Sequence, residues 1–204
     1  MMLRALWVVM LLLPFAGAAR AEKAVFAGGC FWCVESDFES VPGVRGVVSG
    51  YTGGAKAAPT YDDHEGHYEA VEINFDPGRI SYAELVRLFL RSVDVTDAGG
   101  QFCDRGPAYR TAIFALTAQQ KAAAEAAVVQ AEAQLGRDVV TPVKNAGRFW
   151  VAEAYHQDYY KGTGLVLTRA GPKLQKNAYA FYRKACGRDA RVRAIWGKDA
   201  AFSH

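Results

Sequence analysis

The stretch that decides the reading is Ala24-Val25-Phe26-Ala27-Gly28-Gly29-Cys30-Phe31-Trp32-Cys33-Val34-Glu35. Its first four residues are apolar and suit a buried strand, and the two glycines permit a sharp turn that leaves little side-chain bulk around Cys30. The segment that follows is expected to be helical as far as Val41. A thiol at the head of a helix faces unpaired N–H groups and the positive end of the helix dipole, which favour the thiolate. Cys30 is therefore a candidate nucleophile, whereas a lone cysteine without this setting reads as a buried structural thiol.

Working outward, strand-like segments at residues 23–27, 44–51, 70–75 and 111–116 alternate with helical patterns. Ser81 with Glu84, and Thr117 with Gln120, form capping boxes ahead of two helices, the second Ala-rich and running to about Leu135. A further helix is expected over residues 153–160, stopping at Lys161-Gly162-Thr163-Gly164. Residues 53–66 and 94–109 read as long loops, which inside a domain tend to carry function. The tail, 187–204, is basic and Ala-rich and has no assigned place.

The chain has 204 residues, 51% hydrophobic and 22% charged, which excludes a disordered chain and a small disulfide scaffold and points to one sizeable domain. Met1 to Ala21 reads as a secretory signal: Arg4, an apolar run to Phe15, then small residues ending in Ala19-Arg20-Ala21. Cleavage after Ala21 is expected, because the run is interrupted at Pro14 and too short to span a bilayer. The expected location is exported, in the periplasm. Loss of Arg4 and Arg20 brings 24 basic residues to 22 against 21 acidic ones, so no basic field for nucleic acid remains, and no later apolar run suggests a membrane. The four cysteines all follow the leader and meet oxidising conditions. The three methionines, Met1, Met2 and Met10, all lie within it.

Cys30-Phe31-Trp32-Cys33 is not a haem attachment motif, since Val34 stands where histidine is needed, nor half of a zinc site, since Cys103 and Cys186 stand alone. A dithiol-disulfide oxidoreductase using Cys30 and Cys33 is the alternative function, but it needs a thioredoxin-like order of strands and helices that the sequence does not supply.

Gly29-Cys30-Phe31-Trp32 with Val34-Glu35 resembles the active-site signature of the peptide methionine sulfoxide reductase A family. Further segments agree in order: Pro42-Gly43-Val44, Gly50-Tyr51-Thr52-Gly53-Gly54, Pro59-Thr60-Tyr61, Gly66-His67-Tyr68-Glu69-Ala70-Val71, Asp76-Pro77, Tyr109-Arg110-Thr111-Ala112-Ile113, and Ala152-Glu153 with Tyr155-His156-Gln157. The resemblance implies an α+β fold, a ferredoxin-like α/β sandwich, that reduces the S epimer of methionine sulfoxide, free or in proteins. It implies Cys30 as nucleophile, Phe31 and Trp32 as the wall around the substrate methyl group, Glu69 as the acid, and Tyr61, Asp104 and Tyr109 as hydrogen-bonding groups around the sulfoxide oxygen. No metal and no cofactor is implied. The recycling partner is thioredoxin or an exported dithiol, and the expected state is a monomer.

The chemistry explains those residue types. A sulfoxide sulfur is a poor electrophile until its oxygen is protonated, so a thiolate and an acid must face one group. Glu69 beside an aromatic wall should have its pKa raised by desolvation, and the phenols should stabilise charge on oxygen. His156, helix-borne among tyrosines, reads as structural. Attack leaves a sulfenic acid on Cys30 that a second thiol converts to a disulfide. Family members usually have glycine where Cys33 stands, and many carry recycling cysteines near the C-terminus. Cys186 is therefore the first candidate to resolve the sulfenic acid, Cys33 the second, and Cys103 a further relay or a structural partner.

Overall fold

The computed structural model describes residues 20–203. The leader, with all three methionines, lies outside the described residues except for Arg20 and Ala21.

The strand, turn and helix expected around Cys30 are present as β1 (Glu22–Gly28) and α1 (Phe31–Glu39). After them come β2 (Val44–Thr52), β3 (Tyr68–Phe75), α2 (Tyr82–Leu90), a short hairpin of β4 (Gly100–Gln101) and β5 (Asp104–Arg105), β6 (Thr111–Ala115) and α3 (Ala118–Leu135). The remaining elements are β7 (Val143–Asn145), β8 (Trp150–Val151), a second hairpin of β9 (Leu165–Thr168) and β10 (Gly171–Leu174), then α4 (Gln175–Ala185) and α5 (Arg188–Trp196).

The main sheet runs β7-β6-β1-β3-β2-β8, antiparallel except for the β6–β7 pair. Its inner four strands, in the order β6-β1-β3-β2 with α1 and α2 as the crossovers, make the ferredoxin-like α+β arrangement. The reason lies in β1, which is apolar on both faces. Ala24 and Phe26 point toward the helices, where Phe26 lies 4.8 Å from Phe89 and 5.6 Å from Phe38 between ring centroids. Val25 and Ala27 point the other way and pack with Tyr68, Ala70, Ala112 and Phe114. A strand buried on both faces belongs at the sheet centre.

Both expected caps form: Ser81 Oγ accepts the Glu84 N–H and Thr117 Oγ1 accepts the Gln120 N–H, each at 3.1 Å. Gln120 also donates to the Lys23 carbonyl at 2.7 Å, fastening α3 to β1. No helix of the described residues is long and apolar enough to cross a membrane.

Two expectations need correction. Residues 153–160 do not form one helix but two single turns of 3-10 helix, Ala154–His156 and Tyr159–Lys161. Gln157 between them is extended, and Asp158 adopts the left-handed region at φ +57°. The Gln157 side chain explains the break. Its amide accepts the Ser49 N–H at 2.9 Å and donates to the Ser49 and Ala152 carbonyls at 3.0 Å each, pairing with β2 as a strand would. The unassigned tail is also ordered. Val192 and Trp196 on α5 join the core, and Ala201 donates to the Arg91 carbonyl at 2.9 Å.

Candidate active site

Cys30 occupies the N-cap of α1, half-buried, where β1 turns into the helix. Both preceding glycines are required there. A Cβ on Gly28 would come within 2.9 Å of Val34 Cγ2, and one on Gly29, already at φ +83°, within 2.6 Å of Gln101 Cβ. The close packing of Gln101 brings the β4–β5 hairpin, with Cys103 and Asp104, against the turn. Gln101 is itself fixed by donating to the Asp94 carbonyl and accepting the Asp94 N–H.

Glu69 stands on β3 directly opposite Tyr51 of β2 and is 1% exposed. The first free N–H of α1, that of Phe31, donates to Glu69 Oε2 at 3.1 Å, and the Tyr109 hydroxyl donates to the same carboxyl. Burial outweighs both donors and pushes Glu69 up to about 8, with Asp104 adding to the rise. Glu69 therefore carries a proton at neutral pH, as its apolar setting predicted.

Cys30 behaves otherwise than the dipole argument implied, and the helix N–H of Phe31 goes to Glu69 instead. The Cys30 thiol hydrogen-bonds to Cys33, and that bond, with burial and the neighbouring Cys33, Glu69 and Asp104, holds it well above the ordinary thiol value. Cys33 moves the opposite way. The hydrogen bond from Cys30 lowers it against the cost of burial, helped by Arg188 and Arg183. Of the two thiols, Cys33 is thus the one whose thiolate is favoured.

The structure brings the remaining candidates to the same place. Tyr61 and Tyr109 each feel Glu69, Asp104 and Cys30, and burial pushes Tyr61 up to about 12 and raises Tyr109 as well, so both stay protonated donors. Burial also raises Asp104. Phe31 is buried, with its ring centroid 5.9 Å from Tyr51 and 5.1 Å from His156. Trp32 stacks on Tyr159 at 3.8 Å with the planes 7° apart. His156 lies 5.5 Å from Trp32 and 4.5 Å from Tyr61, and burial lowers its pKa, so it serves as a neutral aromatic panel. A buried proton donor, a thiol and an apolar aromatic wall here converge on one side of Cys30. That set can accept a polar S=O group flanked by small apolar substituents.

A sequence profile of the family Peptide methionine sulfoxide reductase matches residues 22–196. The chain belongs to that family. Peptide methionine sulfoxide reductase MsrA 2 of Rhizobium meliloti (strain 1021) is 52% identical over 195 residues, covering 95% of this chain and 91% of its own. The protein of the same name from Caulobacter vibrioides is 45% identical over 188 residues, with 90% of each chain covered. Among solved structures, methionine sulfoxide reductase A of Corynebacterium diphtheriae superposes with a TM-score of 0.65 at 29% identity, covering 69% of this chain and 74% of its own. Mxr1 from Saccharomyces cerevisiae in reduced form gives a TM-score of 0.65 at 23% identity over 69% of this chain and 84% of its own, a likeness of fold. As a member of the family, this chain is an oxidoreductase acting on methionine sulfoxide.

In this reductase all four cysteines line one cleft of about 360 Å³. Cys103 and Cys186 are joined in a disulfide with their Cα atoms 5.1 Å apart, while Cys30 and Cys33 are free thiols. Cys186, the first candidate to meet Cys30, is thus bonded to Cys103, whose side is exposed to solvent.

Sequence reasoning left out Tyr51 and Glu153. The Glu153 carboxylate accepts the Tyr61 N–H at 2.8 Å and the buried Tyr51 hydroxyl at 3.1 Å, which fixes the loop carrying Tyr61. Both residues lie inside quoted motifs, Gly50-Tyr51 and Ala152-Glu153, and that was their only signal. Among the described residues one acidic group, Glu35, Glu39 and Asp158, has ligand spacing for a metal. Lys161 lies 2.9 Å from Glu39 and 2.8 Å from Asp158, and Glu35 accepts bonds from Ser49 Oγ and the Asp158 N–H, so each carboxyl group already has a partner within the protein.

Proposed function

We propose that this reductase acts on the S epimer of methionine sulfoxide, free or in exported proteins, and that Cys30 attacks the sulfur while Glu69 protonates the oxygen. The observation that carries the reading is the juxtaposition of the half-buried Cys30 with a buried, protonated Glu69 held by the Phe31 N–H and Tyr109. The aromatic wall of Phe31, Trp32 and His156 supports a small apolar substituent such as the S-methyl group.

The steps balance as follows. Glu69 gives its proton to the sulfoxide oxygen as Cys30 sulfur bonds to the substrate sulfur, and the Cys30 thiol proton returns to the Glu69 carboxylate. Tyr61, Tyr109 and Asp104 hold the oxygen. Oxygen then passes to Cys30, leaving methionine and a sulfenic acid. Cys33 resolves it: a Cys30–Cys33 disulfide forms and the oxygen leaves as water. The hydrogen bond between Cys30 and Cys33, and the bond already joining Cys186 to Cys103, put Cys33 ahead of Cys186 in this role.

An external dithiol restores both thiols by exchange. A thioredoxin-type reductant is supported by the solved complex of yeast Mxr1 with Trx2, whose fold this chain shares at 19% identity and a TM-score of 0.51. Export with cleavage after Ala21 rests on the leader, and the monomer is likewise part of the proposal. A blocked methionine sulfoxide offered as both epimers with dithiothreitol tests the reading. Loss of the S epimer alone, abolished by Cys30→Ser, is expected. Equal use of both epimers, or activity without Cys30, would contradict it, and faster exchange with unrelated disulfides would favour the oxidoreductase alternative.

A further inference from the structure

Three arginines, Arg169, Arg183 and Arg188, and one carboxyl, Asp104, line the cleft that holds the sulfurs, and Glu69, Tyr61 and Tyr109 are not among its walls. Arg188 begins α5 two residues after Cys186 and is 2% exposed. Its guanidinium donates to the Gly28 carbonyl at 3.3 Å and the Ser92 carbonyl at 3.0 Å, and it stacks over Phe102 at 4.8 Å. Arg183, on α4, donates to Asp37 Oδ1 at 2.7 Å and to the Tyr179 hydroxyl at 3.0 Å, and bonds Asp189 as well. Arg183 and Arg188 are the two buried guanidinium groups of this wall, and Arg183 takes the near oxygen of the buried Asp37. Arg188 reaches Asp37 only at 3.7 Å, and its buried Nε has no acceptor among the described residues. Arg188 shares Asp37 with Arg183 and that buried Nε has no acceptor, so this side of the cleft can balance a further negative charge. Cys33 lines the same cleft and is 9% exposed.

We propose that Arg188 is a positioning residue for recycling: with Arg183 it fixes the negative charge of the thiol pair on Cys33, so that Cys33 meets the oxidised Cys30 as a thiolate. The step rests on the reading that Cys33 resolves. Cys33 sulfur bonds to Cys30 sulfur, the Cys30 S–O bond breaks, and the departing oxygen takes the Glu69 proton to leave as water. Cys33 is oxidised and Cys30 reduced by the same pair of electrons. The charged and titratable groups around Cys33 and its cleft are Cys30, Glu69, Asp37, Asp104, Tyr179, Tyr182, Arg169, Arg183 and Arg188. The carboxyl groups and the Tyr179 phenol oppose the thiolate, Asp37 is shared between Arg183 and Arg188, and Glu69 is protonated at neutral pH. The guanidinium groups prevail.

The test is a titration of thiolate ultraviolet absorbance in the full-length Cys30→Ser protein, where Cys33 is the titrating thiol because Cys103 and Cys186 are bonded. The midpoint should lie below that of an ordinary thiol. Arg188→Met on that background should raise it by about one unit or more, and Arg188→Lys should keep most of the depression. With Cys30 intact, Arg188→Met should slow Cys30–Cys33 disulfide formation about tenfold at neutral pH, following the thiolate fraction, while first-turnover methionine formation keeps its rate. A Cys33 midpoint at or above the ordinary value overturns the proposal even if Arg188→Met fails to fold, and so does a midpoint that Arg188→Met leaves unmoved. A protein that makes no Cys30-dependent methionine would instead overturn the proposed reduction.

Discussion

The main-chain N–H of Phe31 donates to Glu69 Oε2 at 3.1 Å, so the first turn of α1 holds the acid and not the nucleophile. The helix start that the sequence assigned to a Cys30 thiolate instead anchors the carboxyl, and of the two thiols Cys33 is the one whose thiolate is favoured.

Glu69 titrates near 8, and the proton it gives to the sulfoxide is present only below that value. The first-turnover rate of methionine formation should be level from neutral pH to about 8 and then fall about tenfold per unit. Glu69→Gln should lower that rate by about 10² to 10⁴ at pH 7. Rapid-quench measurement of methionine across pH 6 to 10, on the order of five points per variant, checks both.

The same shift makes a stability prediction. An unfolded chain ionises Glu69 at its ordinary 4.5 while the folded chain keeps the proton to about 8, so folding loses stability between those values as pH rises. Glu69→Gln should leave the melting temperature unchanged near pH 4 and raise it above pH 8, by a gain on the order of a few kcal/mol. Thermal melts at the two pH values decide it, and a gain at pH 4 would contradict the sign.

Trp32 presents its ring to the site from the face of Tyr159, stacked at 3.8 Å. Trp32→Ala should reduce kcat/KM for a methionine sulfoxide peptide by about 10- to 200-fold, the range for loss of an apolar substituent pocket, and Trp32→Phe by less. Steady-state kinetics with excess reductant measures both.

Gln157 supplies three hydrogen bonds to Ser49 and Ala152 through its side-chain amide. Gln157→Ala should cost about 1–3 kcal/mol by leaving part-buried main-chain groups unpaired, and Gln157→Glu should cost at least as much because it removes both donors. Urea midpoints give the comparison.

These particular residues show how far a sequence can be read. β1, the double glycine and α1 were legible because apolar run, turn and helix signals agree there, and the Ser81 and Thr117 caps because a side-chain oxygen three residues before its N–H partner is a local device. The break at 157–158 was not legible, since the bond that drives it joins Gln157 to Ser49, 108 residues away. Nor was the tail. Val192 and Trp196 are spaced for one helix face, but the basic, Ala-rich composition around them gave the tail no place, and one of its arginines, Arg188, is itself buried. In the site, Cys30, Glu69, Tyr61 and Tyr109 could be named because quoted motifs carry them, Asp104 through the resemblance alone, and the fold gathers all five. The hold of Glu153 on Tyr61, and the pairing of Cys103 with Cys186 across 83 residues, exist only once the chain has folded.

The most direct test of the whole account is a single turnover without reductant, with methionine counted per enzyme and disulfides mapped by mass spectrometry. The S epimer of a blocked methionine sulfoxide should give about one methionine per chain and a new Cys30–Cys33 bond beside an unchanged Cys103–Cys186 bond. No methionine, or a bond from Cys30 to Cys186 in place of Cys33, would contradict it.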